Sequence, residues 1–133
     1  MLTDSHCHLD AAEFDADRDA VYAAALLAGV KRIVVPSVAV DGFKRVKTSV
    51  ARYPGCVAAY GIHPLFVMPA KETDLAVLRD WLVKEKPVAV GEIGLDFYGA
   101  PGRAHILGGA SPLLARQGEE LAERQGCRGR LRI

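Results

Sequence analysis

No apolar run in this 133-residue chain approaches the roughly 18 residues that a membrane-spanning helix needs, and the opening MLTDSHCHLD lacks the basic-then-apolar layout of a secretory signal. A cytoplasmic protein with no membrane attachment is therefore expected. Cysteine is scarce: Cys7, Cys56 and Cys127 are odd in number and match neither a disulfide framework nor a zinc knuckle, so reduced thiols are expected. Excess charge is lacking too, with 17 Lys and Arg against 16 Asp and Glu and a formal net charge of +1. That balance removes a whole-surface argument for nucleic-acid binding, which ordinarily shows as a basic face, so any such contact must come from a local site. Half the residues are hydrophobic and a quarter charged, the composition of a globular domain or a piece of one.

The last part of the chain lacks more. Residues 99–133 contain no Phe, Tyr, Trp or Lys but six Arg and seven Gly, whereas residues 1–98 hold all nine aromatics and all six lysines. Leu114, Leu121 and the Glu119 to Glu123 run suit a helix that Gly118 interrupts, and no fifth strand follows. Residues 1–98 are read as one unit. Residues 99–133 are read as an Arg/Gly-rich tail, poorly ordered or holding one helix, of the composition that a reading-frame shift in a GC-rich coding sequence would produce.

Residues 1–98 alternate short β-branched runs with longer amphipathic stretches, the pattern of successive βα units around a parallel sheet. Strands are predicted over 1–8, 32–38, 56–62 and 87–93, the last three as nearly continuous apolar runs suited to strands covered on both faces. Between them, Asp15 or Asp17 is expected to cap a helix that packs Val21, Ala25, Leu26 and Ala28 and stops at Gly29. Asp41 is expected to cap a second, with Phe43, Val46 and Val50 inward, and Thr73 or Asp74 to open a third on Leu75, Leu78 and Leu82.

The chemistry-bearing residues fall at the strand ends. In an extended strand Asp4, His6 and His8 project to one side, and Cys7 to the other as a packing residue. An isolated HxH is weak, since such pairs are more often plain polar loop residues. The fourth strand adds weight: VAVGEIGLDFY sets Glu92 and Asp96 where an apolar strand runs out, and a carboxylate there is costly unless paired or bound to a cation. Gly91 and Gly94 leave room around Glu92, which is read as a ligand; for Asp96 a turn or helix cap is as good a reading as a functional role. The third strand ends in GIHP, bringing His63 to the same mouth, unless it is a loop histidine satisfied by backbone.

Taken together, TDSHCHLD, GIHP and VGEIGLDFY resemble, in order and spacing, the TatD family of metal-dependent deoxyribonucleases in the amidohydrolase superfamily, across residues 1–98. The resemblance implies an α/β fold of the (β/α)8 TIM-barrel type, here truncated to about its first four βα units. It implies one or two divalent ions (Zn, Mg or Mn) at the C-terminal mouth and DNA as the substrate. By that resemblance His6 and His8 bind metal, Glu92 binds or bridges metals, His63 contacts the scissile phosphate or its water, and Asp4 and Asp96 stand behind them. The family draws further ligands from later strands, a His in a PVIxHxR-like segment, another His and an Asp, and this sequence has none of them; His105 sits in unrelated surroundings. A barrel of this type takes roughly 200 to 250 residues, so four strands leave two open edges and expose inward residues such as Val34, Val57, Ala59 and Val88. Three classes follow: a TatD-type hydrolase of DNA phosphodiesters, an inactive truncated remnant of one, and a different HxH enzyme, which GEIGLD disfavours. Self-association through the open edges is expected in any of them.

Overall fold

The computed structural model describes residues 1–67 and 69–94, so the reading of Asp96 and of the 99–133 tail lies outside the described residues. The elements run β1 (Leu2–Asp4), α1 (Arg18–Leu27), β2 (Val30–Pro36), α2 (Phe43–Arg52), β3 (Cys56–Tyr60), α3 (Glu72–Glu85) and β4 (Ala89–Val90), with 3-10 turns at Ala12–Phe14, Val40–Gly42 and Pro64–Phe66. The four strands pair in the order β1-β2-β3-β4, all parallel, as half of a (β/α) barrel. Among the described residues no helix is long and apolar enough to cross a membrane.

Each strand is shorter than the sequence predicts, ending at Asp4, Pro36, Tyr60 and Val90 rather than at 8, 38, 62 and 93. The ladder gives way to irregular backbone that still bonds across strands: Cys7 N donates to Val34 O (3.0 Å), Ser37 N to Ala59 O (3.0 Å) and His63 N to Val38 O (2.9 Å). Short strands with extended, bonded ends are how a parallel sheet releases side chains into a mouth without leaving buried amides unpaired.

The core lies between sheet and helices. Ile33, Val35, Cys56 and Tyr60 bury against Phe43 and Val46 of α2 and Leu78 and Leu82 of α3. Rings of Phe43, Tyr60 and Trp81 meet with centroids 5.2 to 5.9 Å apart, where offset and edge contacts add to area burial. The opposite face is thinner, with Val34 and Val57 partly exposed, and Val88, just before β4, is 51% exposed at the sheet edge. Ala59 departs from the expectation of exposure. It is buried because the turn after β4 lies on it, close enough that a Cβ on Gly91 would sit 3.8 Å from the Ala59 Cβ.

Helix caps differ from the sequence reading. Asp17 occupies the N-cap of α1 without a side-chain bond, while Asp15 pairs with Arg18 at 2.6 Å. Arg18 also donates to the carbonyls of Leu9 and Ala11, both at 2.6 Å, so it straps the β1–α1 loop down. Tyr22, not Ala28, joins Val21 and Ala25 against the core, because Ala28 is already the C-cap. Asp41 falls inside the 3-10 turn, and Gly42 is the N-cap of α2. α3 starts at Glu72, its N-cap Lys71 lying two to three residues before the expected Thr73 or Asp74, and the Lys71 backbone N–H donates to Asp74 at 2.9 Å. An acidic residue near each helix start was legible, but only Asp74 meets a backbone N–H there, because the loop before each helix decides what lies within reach. Gly29, with φ +90, does end the first helical segment.

Burial pushes the Cys56 thiol up to about 11 from its ordinary 9.0, with Cys7 nearby adding to the shift. A thiol that ionises later in the folded chain than in the unfolded one stabilises the fold below pH 9 and loses that contribution as pH rises toward 11. Denaturant midpoints of the native chain should fall across that alkaline window, and Cys56→Ala should flatten the slope; parallel slopes for both chains would contradict it.

Candidate metal centre

β1 stops at Asp4 because the Asp4 carboxylate accepts the backbone N–H of His6 at 3.0 Å, a local turn that competes with the strand ladder. The sequence reading had His6 and His8 converge by strand alternation; they converge instead on the loop this turn begins. Their Nε2 atoms lie 3.3 Å apart, with the rings edge to face. Glu92 closes the triangle, Oε1 at 3.4 Å from His6 Nε2 and Oε2 at 3.1 Å from His8 Nε2. The side chains are 50%, 35% and 22% exposed in the order His6, His8, Glu92, so the carboxylate is the deepest member.

Three such atoms suit one cation. Metal to nitrogen or oxygen bonds of about 2.0 to 2.1 Å in a tetrahedron set donor atoms roughly 3.3 Å apart. The two nitrogens stand 3.3 Å apart and each faces its own Glu92 oxygen, Oε1 at 3.4 Å from His6 and Oε2 at 3.1 Å from His8, so the carboxylate spans the pair, and one ligand atom from each residue lies within 4.8 Å of the others. Two imidazole nitrogens in direct contact are poorly satisfied by each other, whereas a shared cation satisfies both with the carboxylate. Among the described residues His6, His8 and Glu92 form the ligand-capable cluster, and Asp4, occupied with the His6 backbone, is not in it.

His63 stands beside this cluster in a different role. Its Nδ1 accepts the Leu65 N–H at 3.1 Å, so in the neutral ring the proton is on Nε2, which lies 3.7 Å from Glu92 Oε1. That nitrogen is thereby set up as a donor rather than as a metal ligand.

Glu92 is held by its backbone. Its N–H donates to Ser37 O at 2.9 Å, and Gly91 N donates to Tyr60 O at 3.0 Å. Ser37 is 2% exposed and bonds Gly61 twice, Oγ donating to Gly61 O (3.1 Å) and accepting from Gly61 N (3.0 Å). A Cβ on Gly61 would lie 2.7 Å from both Glu92 O and Gly91 C. The sequence reading assigned the room near Glu92 to Gly91 and Gly94. Gly91 instead has ordinary clearance, Gly94 has nothing within 4 Å, and the crowded glycine is Gly61. Ser37 and Gly61 were missed; a lone polar residue in the apolar run RIVVPSV and a glycine just before His63 were the available signals.

The family model described as TatD related DNase matches residues 3–106, a span that contains all four strands and His6, His8, His63 and Glu92. The chain belongs to the TatD family. The metal-dependent hydrolase YjjV of Escherichia coli K12 is 39% identical over 72% of this chain and 38% of its own length. Human deoxyribonuclease TATDN3 is 32% identical, covering 93% of this chain and 44% of the relative. The crystal structure of YjjV, a TatD homolog, superposes with TM-score 0.81 at 35% identity over 92% of this chain and 47% of that one. The chain thus spans less than half the length of each of these TatD-type relatives.

Any side chain at position 61 must push the Gly91–Glu92 peptide away. Gly61→Ala should therefore lower affinity for Zn2+ by about 10-fold or more, the scale of outer-shell changes at metal sites. Calorimetry measures the affinity, and circular dichroism should report a retained sheet. Native affinity in the variant would show that Gly61 does not set the position of Glu92.

Proposed function

We propose that the chain carries the first half of a TatD-type active site, which hydrolyses phosphodiester bonds of DNA by metal-activated water. The observation that carries this reading is the His6, His8 and Glu92 cluster, in which one ligand atom from each residue lies within 4.8 Å of the others, a spacing that one cation can bridge. A bound divalent ion (Zn, Mg or Mn) supplies Lewis acidity, polarising a phosphoryl oxygen and lowering the pKa of water. His6 and His8 hold that ion with neutral nitrogens, and Glu92 offsets its charge. His63 presents Nε2–H to the mouth, where it orients a phosphate oxygen. Asp4 fixes the backbone of His6, and for Asp96, outside the described residues, a supporting role is proposed from its place in the GEIGLD segment alone.

Three protein donors give a weaker site than a full set. Catalysis by this chain alone is expected to be poor, with the missing ligands supplied by a further half barrel. Reduced thiols at Cys7 and Cys56 suit a cytoplasmic setting.

Calorimetry with Zn2+ or Mn2+ should give binding that the His6→Ala, His8→Ala double variant abolishes, and the same variant should remove any metal-dependent cleavage of single-stranded DNA. Equal metal binding by that variant would remove the site from the argument.

Open edges support a second expectation. Leu2 on β1 is 58% exposed and Val88 beside β4 is 51% exposed, at opposite edges of the sheet. We propose that the chain self-associates, β4 of one copy pairing with β1 of another. Sedimentation should show mass rising with concentration, and a monomer at all concentrations would overturn it.

A further inference from the structure

His8 has two sides. One belongs to the metal centre, and the other lines a cavity of about 430 Å3 between the β1–α1 loop, the end of β2 and the first turn of α2. That volume lies in the range of small-ligand pockets. Phe14 supplies its aromatic wall, Val38 part of its apolar lining, and Glu13, Asp10 and Arg45 its charged groups.

Asp10 is the unusual member. It is 5% exposed; its Oδ2 accepts the Arg45 Nε–H at 3.1 Å, and its Oδ1 has no partner among the described residues. A buried carboxylate left half satisfied calls for an explanation, and its effect here is to fix a guanidinium. Arg45 is 59% exposed, and among the described residues its Nη groups bond nothing. With Nε engaged, the plane is held and two adjacent donors remain available.

Two carboxylates stand against one guanidinium, so the cavity disfavours an anion. A neutral, flat ligand with acceptors on its edge fits better, since it meets an aromatic face, apolar walls and paired donors. We propose that this cavity takes one nucleobase of the DNA strand whose phosphate lies at the metal centre, Phe14 offering the stacking face and Arg45 donating to the base edge. This rests on the hydrolase reading for the position of the strand. Guanine suits it best, because O6 and N7 form the adjacent acceptor pair that Arg recognises, and Glu13 can accept from its N–H groups.

The test uses the whole chain, isotope-labelled, titrated with deoxyguanosine, which carries no phosphate, and with 2-deoxyribose as control. Deoxyguanosine should shift the Phe14 ring and Arg45 Nε–H resonances saturably, and the sugar should not. Phe14→Leu, which fills the wall without an aromatic face, should weaken binding about 5-fold or more, within the range of base stacking. Arg45→Lys, which keeps the charge beside Asp10 but loses the paired donors, should weaken it as well. An unchanged amide fingerprint establishes that both variants fold. No saturable shift with deoxyguanosine, or unchanged affinity in Phe14→Leu, overturns the proposal. Zn2+ binding is measured separately by calorimetry: Zn2+ binding without the base response removes the nucleobase slot alone, and a base response without Zn2+ binding overturns its place beside a metal centre.

Discussion

The close approach of Gly61 to the Gly91–Glu92 peptide is the constraint on which the site depends. A Cβ there would come within 2.7 Å of backbone, so the ends of β3 and β4 meet only because position 61 has none. Ser37 locks the same junction from β2, bonding Gly61 with its hydroxyl and Glu92 with its carbonyl. Three strand ends are thus tied through buried backbone bonds, which are strong and directional away from water. Glu92 then needs little help from its own side chain to reach the imidazoles.

That junction also explains how a carboxylate comes to sit among three histidines. Glu92 lies within 3.1 to 3.7 Å of the Nε2 atoms of His6, His8 and His63. The two nearer histidines bring their Nε2 atoms within 3.3 Å of each other, while Leu65 N–H bonds His63 Nδ1, so that in the neutral ring Nε2 is the donor. A single backbone N–H therefore sets His63 apart from the two histidines that the metal reading takes as ligands.

Packing is uneven across the sheet. The helix side is dense, with Phe43, Tyr60 and Trp81 in mutual contact, whereas Val34 and Val57 on the other side keep exposed surface. The thin side and its two edges are the surface that a continuing barrel, or a second copy, would cover.

By itself the sequence determined the element order, the parallel sheet, the buried Phe43, Val46, Leu78 and Leu82 of the helices, and the membership of His6, His8, His63 and Glu92 in one mouth. Apolar runs spaced by amphipathic stretches leave few alternatives to successive βα units, and parallel strands put all their C-terminal ends on one side. Only the tertiary structure decided how those side chains meet. That His6 and His8 converge by a turn on Asp4, that Gly61 rather than Gly91 is crowded, and that Ser37 ties three strands all depend on contacts 24 or more residues apart or on loop backbone bonds. Local sequence sets dihedral preferences and faces, but closeness between distant backbone segments is fixed only when the sheet assembles and every buried amide must find a partner.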